Sequence, residues 1–143
     1  MKVLIDADGC PVVDITIQIA HTYALECIII SDTSHAFIKA GVQTITVSQG
    51  RDSADFELIK RANDSDIVVT QDYGLAAMCL AKRARPINQD GKIYTDENID
   101  FLLNERYIAG MVRRVGGRMK GKSKRSKVQN DEFVEALKAL ILA

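Results

Sequence analysis

The 143-residue chain has no tryptophan, only two histidines and only three cysteines. Each shortage removes a class of function. Cys10, Cys27 and Cys79 are odd in number and lack paired spacing, which fits neither a disulfide framework nor a zinc knuckle. Structural zinc is therefore not expected. No apolar run approaches the roughly 20 residues needed to cross a bilayer. The opening MKVLIDADG places Asp6 and Asp8 where a signal peptide would continue its apolar stretch, so a cytoplasmic protein is expected. With histidine so scarce, catalytic chemistry must draw on the carboxylates, which are plentiful.

What is present fits one globular domain spanning residues 1–143: 47% of residues are hydrophobic and 27% charged, enough to build a core unaided. The formal charge is zero, yet it is unevenly spread. Residues 1–100 carry 15 acids against 9 bases, and residues 101–143 carry 4 against 10.

Short apolar runs at Val3 to Ile5, Cys27 to Ile30 and Ile67 to Val69 each lead to an aspartate, Asp6, Asp32 or Asp72. Such unbroken runs predict buried parallel strands. Thr44 to Val47 alternates instead, which predicts a strand at the sheet edge. Helical spacing follows in Val13, Ile17, Ala20 and Ala24, in Leu58, Ile59 and Ala62, and in Leu75, Met78, Cys79 and Ala81. Alternating strands and helices predict an α/β fold. Arg85-Pro86 should break the helix that follows the third apolar strand, before a turn at residues 89–92 and a short last strand or hairpin at Ile93-Tyr94. Thr95 or Asp96 should cap a helix carrying Ile99, Leu102 and Leu103, and a closing helix is expected over residues 131–143. Between them, residues 113–127 hold Arg113, Arg114, Arg118, Lys120, Lys122, Lys124, Arg125 and Lys127 without one acid. Such a segment reads as a mobile basic loop suited to phosphate backbones.

In a doubly wound sheet, ligands bind beyond the carboxyl ends of the strands where the strand order reverses. Asp6 and Asp8 belong there, and so does Asp72 after the strand expected to pair with the first. Asp52 and Asp55 open the middle helix, with Asp55 starting its inward stripe. Carboxylates gathered with few bases need a cation, and an all-oxygen ligand set suits Mg²⁺ or Mn²⁺. Such ions activate water and shield phosphoryl charge, so no serine, cysteine or histidine nucleophile is required. Four of the five acids also have a structural reading: Asp8-Gly9 as a turn, Asp52 and Asp72 as helix caps, Asp55 as a partner of Arg51. Cys10 reads as a buried thiol, His21 as a packed or rim residue, and His35 as a residue near the same sheet edge.

The stretches Ile5-Asp6-Ala7-Asp8-Gly9-Cys10-Pro11-Val12, Gly50-Arg51-Asp52-Ser53-Ala54-Asp55 and Thr70-Gln71-Asp72-Tyr73-Gly74-Leu75-Ala76 resemble the three motifs of the bacterial YaiI/YqxD family. That family is uncharacterised in function and is similar to the PIN-like nuclease superfamily. The resemblance implies a three-layer α/β/α sandwich with a mainly parallel sheet. It further implies a metal-dependent nuclease acting on RNA or single-stranded nucleic acid. Asp6, Asp8 and Asp72 would be catalytic, and Asp6, Asp8, Asp52, Asp55 and Asp72 would hold Mg²⁺ or Mn²⁺. The eight basic residues would contact nucleic acid. The chain departs from the superfamily at Gly74, where many members carry a further acid. Asp-x-Asp-Gly after a strand also resembles haloacid dehalogenase-like phosphatases, in which Asp6 would be the nucleophile and Asp8 the general acid. A non-catalytic nucleic-acid-binding module is the third reading.

Overall fold

The structure, a computed structural model, describes residues 1–32, 39, 41–50, 52–116 and 124–143. Among the described residues five strands form one sheet: β1 (Lys2–Asp6), β2 (Glu26–Asp32), β3 (Gln43–Val47), β4 (Ile67–Val69) and β5 (Arg85–Ile87). Their order is β3-β2-β1-β4-β5 and every pairing is parallel. The order reverses at β1, which pairs β2 on one side and β4 on the other, with Val3 opposite both Cys27 and Ile67.

Side chains of β1 alternate between two layers, as pleating requires. Val3 and Ile5 face the layer of α1 (Val13–Thr22) and α5 (Lys127–Leu142), packing with Ile19, Phe133 and Leu137. Leu4 faces the opposite layer of α2 (Ser53–Arg61) and α3 (Tyr73–Ala81), with Ile28, Ile30, Leu58 and Leu75. The fold is a three-layer α/β/α sandwich, and the expectation of a parallel sheet with β3 at its edge holds. A smaller cluster of Ala76, Tyr94, Ile99 and Leu102 hangs α4 (Ile99–Arg114) on α3. No helix among the described residues is long and apolar enough to cross a membrane.

The structure corrects three local expectations. The last strand is β5 rather than one at Ile93-Tyr94, and of the expected strand or hairpin there the structure keeps one antiparallel bridge, Ile93 to Ile87, across the turn. Pro86 is tolerated because β5 is an edge strand. Helix α4 runs on through Arg113 and Arg114, whose charges complement the negative end of the helix dipole. Helix α5 begins at Lys127 rather than Asp131, because Ser126 and Gln129 form a reciprocal capping box. The basic segment is therefore not one loop: it opens in one helix and ends in another. Arg118, Lys120 and Lys122, with Arg51 and His35, lie outside the described residues.

Candidate active site

A cleft of about 1060 Å³ opens at the carboxyl edge of the sheet. Asp6, Asp8, Asp52, Asp55 and Asp72 all line it. The topology explains the convergence: β1 and β4 run side by side and in the same direction, so Asp6 and the residues after Val69 emerge together at the reversal point. Helix α2 brings its first turn over the same edge.

Thr70 knits the acids that follow β1 and β4. Its hydroxyl donates to Asp6 Oδ2 at 2.8 Å and accepts from the Asp72 backbone N–H at 3.0 Å. Thr70 is itself buried, and its carbonyl accepts from the Tyr94 hydroxyl at 3.1 Å. Gln71 Nε2 donates to the Gly9 carbonyl at 2.8 Å, tying the loop after β4 to the loop after β1. Asp8 Oδ2 accepts from the Asp32 backbone N–H at 3.2 Å.

The two expected helix caps behave differently. Asp72 does cap α3: its Oδ1 accepts from Gly74 N at 2.8 Å and Leu75 N at 3.2 Å. Asp52 stands at the N-cap of α2 with φ of 61° and makes no side-chain capping bond, so capping does not account for its carboxylate. Asp52 is one of four non-glycine residues with positive φ among those described, a conformation aspartate adopts more readily than most.

Burial, partly opposed by the Thr70 hydrogen bond, and then the charges of Asp55, Asp72 and Asp8 push the Asp6 carboxyl up to about 6. Asp55 is likewise raised to about 6, by burial and by Asp72 and Asp52, against the pull of Arg106. Two carboxyls raised by burial and by like charge are the condition a cation relieves. The donors are all oxygen, as Mg²⁺ and Mn²⁺ require. Among the described residues, however, no three acidic, histidine or cysteine side chains are drawn together as a closed metal cluster. The acids share a cleft rather than a cage. Asp6, Asp8 and Asp72 instead accept hydrogen bonds from Thr70, the Asp32 N–H and the α3 N-terminus.

Sequence reasoning missed three charged groups of this cleft: Asp32, Glu105 and Arg106. Asp32 had a signal, since it ends the strand beside β1. Arg106 and Glu105 had none, because only the docking of α4 brings them to the cleft. Arg106 Nη1 approaches Asp72 Oδ1 at 3.4 Å, an exposed contact. Gly74 leaves room for the Asp72 carboxylate: a Cβ there would lie 3.3 Å from Asp72 Oδ1, and in ordinary contact, 3.7 Å, with Arg106 Nη1.

Of the basic residues expected at nucleic acid, Arg113 lines the cleft. Arg114, Lys124 and Lys127 are exposed. Arg125 is held inside the fold, donating to Asp90 Oδ1 at 2.7 Å, to Asn130 Oδ1 at 2.6 Å and to the Gln89 carbonyl. Burial raises the thiol pKa of Cys10, in keeping with an inert cysteine.

Residues 4–143 match the family described as uncharacterised, YaiI/YqxD. The chain is 48% identical to a UPF0178 protein of Exiguobacterium sibiricum, covering 99% of this chain and 96% of that one. It is 51% identical to a UPF0178 protein of Ruminiclostridium cellulolyticum, over 99% and 91% of the two chains. No solved structure matches the chain.

Proposed function

The chain belongs to the YaiI/YqxD family, and we propose that it is a metal-dependent phosphodiesterase cleaving RNA or single-stranded nucleic acid. One observation carries this reading: five aspartates from β1, α2 and the end of β4 line a single cleft at the reversal point of the sheet. Asp6, Asp8, Asp52, Asp55 and Asp72 would hold Mg²⁺ or Mn²⁺. A bound ion would lower the pKa of attacking water and shield the phosphoryl oxygens.

The chain's own groups have separate tasks. Thr70 fixes the Asp6 carboxylate and the backbone of Asp72, so two ligands keep one relative position. Arg106 and Arg113, on the α4 wall of the cleft, would take the phosphate of the substrate, Arg106 exchanging Asp72 for a phosphate oxygen. Arg114, Lys124 and Lys127 are exposed near the ends of α4 and α5, and with Arg118, Lys120 and Lys122 they would follow the nucleic-acid backbone. Arg125 would keep the start of α5 in place instead.

The phosphatase reading would give Asp6 the role of nucleophile and Asp8 that of general acid. Labelled RNA incubated with Mn²⁺ decides between the readings. Fragments that disappear with EDTA and with Asp6→Asn support the nuclease; hydrolysis of phosphomonoesters only, or salt-sensitive binding without cleavage, replaces it.

A further inference from the structure

Helix α4 has two apolar faces, and the core uses one. Ile99 and Leu102 are buried against α3, while Glu105, Arg106, Ala109 and Arg113 turn to the cleft. Away from α3, Phe101, Ile108, Met111 and Val115 are 61%, 50%, 47% and 84% exposed. With Asn104 they recur at steps of three and four residues, the spacing of a helix-pairing seam. A solvated helix face does not need four large apolar side chains in register, and a stripe of this kind marks an interaction surface.

We infer that this stripe pairs with the same stripe of a second copy of the chain, antiparallel across a two-fold axis. The charges beside it select both the occupant and the direction. Acidic Asp100 flanks the stripe at its start and Arg114 flanks the same side near its end, seven-residue repeats apart. A parallel pair would set Asp100 beside Glu105 of the partner subunit, acid against acid, twice by symmetry. An antiparallel pair centred level with Arg106 brings Asp100 beside Arg114 of the partner subunit, twice by symmetry, against one like-charge contact on the other flank, Glu105 with Glu105 of the partner subunit. The same register places Phe101 over the partner subunit's Met111 and Asn104 beside the partner subunit's Ile108.

This surface lies beside the acidic cleft without belonging to it: Ile108 alone is common to the stripe and the cleft wall. Association would put the two clefts of the dimer on either side of one helix pair. A single helix pair is a small interface, which sets the association in the weak, concentration-dependent range.

Sedimentation of the full chain over concentrations of roughly 1–500 µM tests the pairing. The mass should rise from 15.8 kDa toward twice that value. Met111→Asp should weaken association at least ~tenfold with circular dichroism and melting unchanged, since Met111 is exposed and outside the cleft. Asp100→Arg and Arg114→Asp should each weaken it, and the two together should restore it. A wild-type chain that stays monomeric throughout overturns the inference. So does a dimer indifferent to Met111→Asp, or a double charge reversal that fails to restore what the single ones lose.

Discussion

Thr70 and Asp6, 64 residues apart in sequence, are joined by a 2.8 Å hydrogen bond across the ends of β4 and β1. The bond sits where the sheet changes direction, and it steadies a carboxylate that burial and three other aspartates would otherwise drive to its neutral form. That carboxylate lowers the stability of the fold at neutral pH.

The cost is measurable as a pH dependence. Asp6 has a folded pKa of about 6 against an ordinary 3.8, so the folded chain binds this proton more tightly than the unfolded one. Stability therefore falls as pH rises from about 4 to 6 and stays low above that. Asp6→Asn keeps an oxygen for Thr70 and removes the charge. Urea unfolding should find the variant more stable than wild type by about 1–3 kcal/mol at pH 7.5, with the advantage shrinking toward pH 4.

Asp66 shows the opposite sign. Burial would raise its pKa, but the Lys2 ammonium at 2.6 Å and the backbone N–H groups of Lys2 and Asn63 outweigh it and hold the carboxyl low. This contribution is complete above the ordinary carboxylate pKa and is lost as pH falls below it through the lowered folded value. Asp66→Ala should cost about 2–3 kcal/mol at pH 7, because it strands an ammonium and two N–H groups at the base of β1 and β4. Unfolding of both proteins near pH 3 should show a smaller gap.

Gly91 is fixed by its backbone and by its neighbour. Its φ is +87°, and a Cβ would lie 2.7 Å from the Glu132 carbonyl oxygen of α5. Gly91→Ala should destabilise the chain by about 2 kcal/mol or more, since neither the left-handed turn nor the helix backbone yields cheaply. Thermal melting of this variant checks it.

Much of this molecule can be read from the sequence, for physical reasons. Val3 to Ile5, Cys27 to Ile30 and Ile67 to Val69 are legible because strands covered on both faces are unbroken apolar runs. Once those strands are ordered, Asp6, Asp8 and Asp72 have only one edge to occupy. β5 is obscure because it has three residues and includes a proline. The last turns of α4 were obscured by Arg113 and Arg114, whose charge resembles a loop although it suits a helix end. The start of α5 was readable: Ser126-Lys127-Val128-Gln129 carries the capping-box spacing that Asp131 does not. Arg106 was not readable, because its approach to Asp72 depends on the angle at which Ile99 and Leu102 seat α4 on α3.

The central claim is that the aspartates of this cleft take a divalent ion. Crystals of the chain soaked in Mn²⁺ and measured for anomalous scattering test it without reference to activity. The account predicts a peak in the cleft with oxygens of Asp6 and Asp72 ~2 Å away, and its loss in Asp6→Asn crystals. A cleft empty at saturating Mn²⁺, or ions found only at other surfaces, would contradict it.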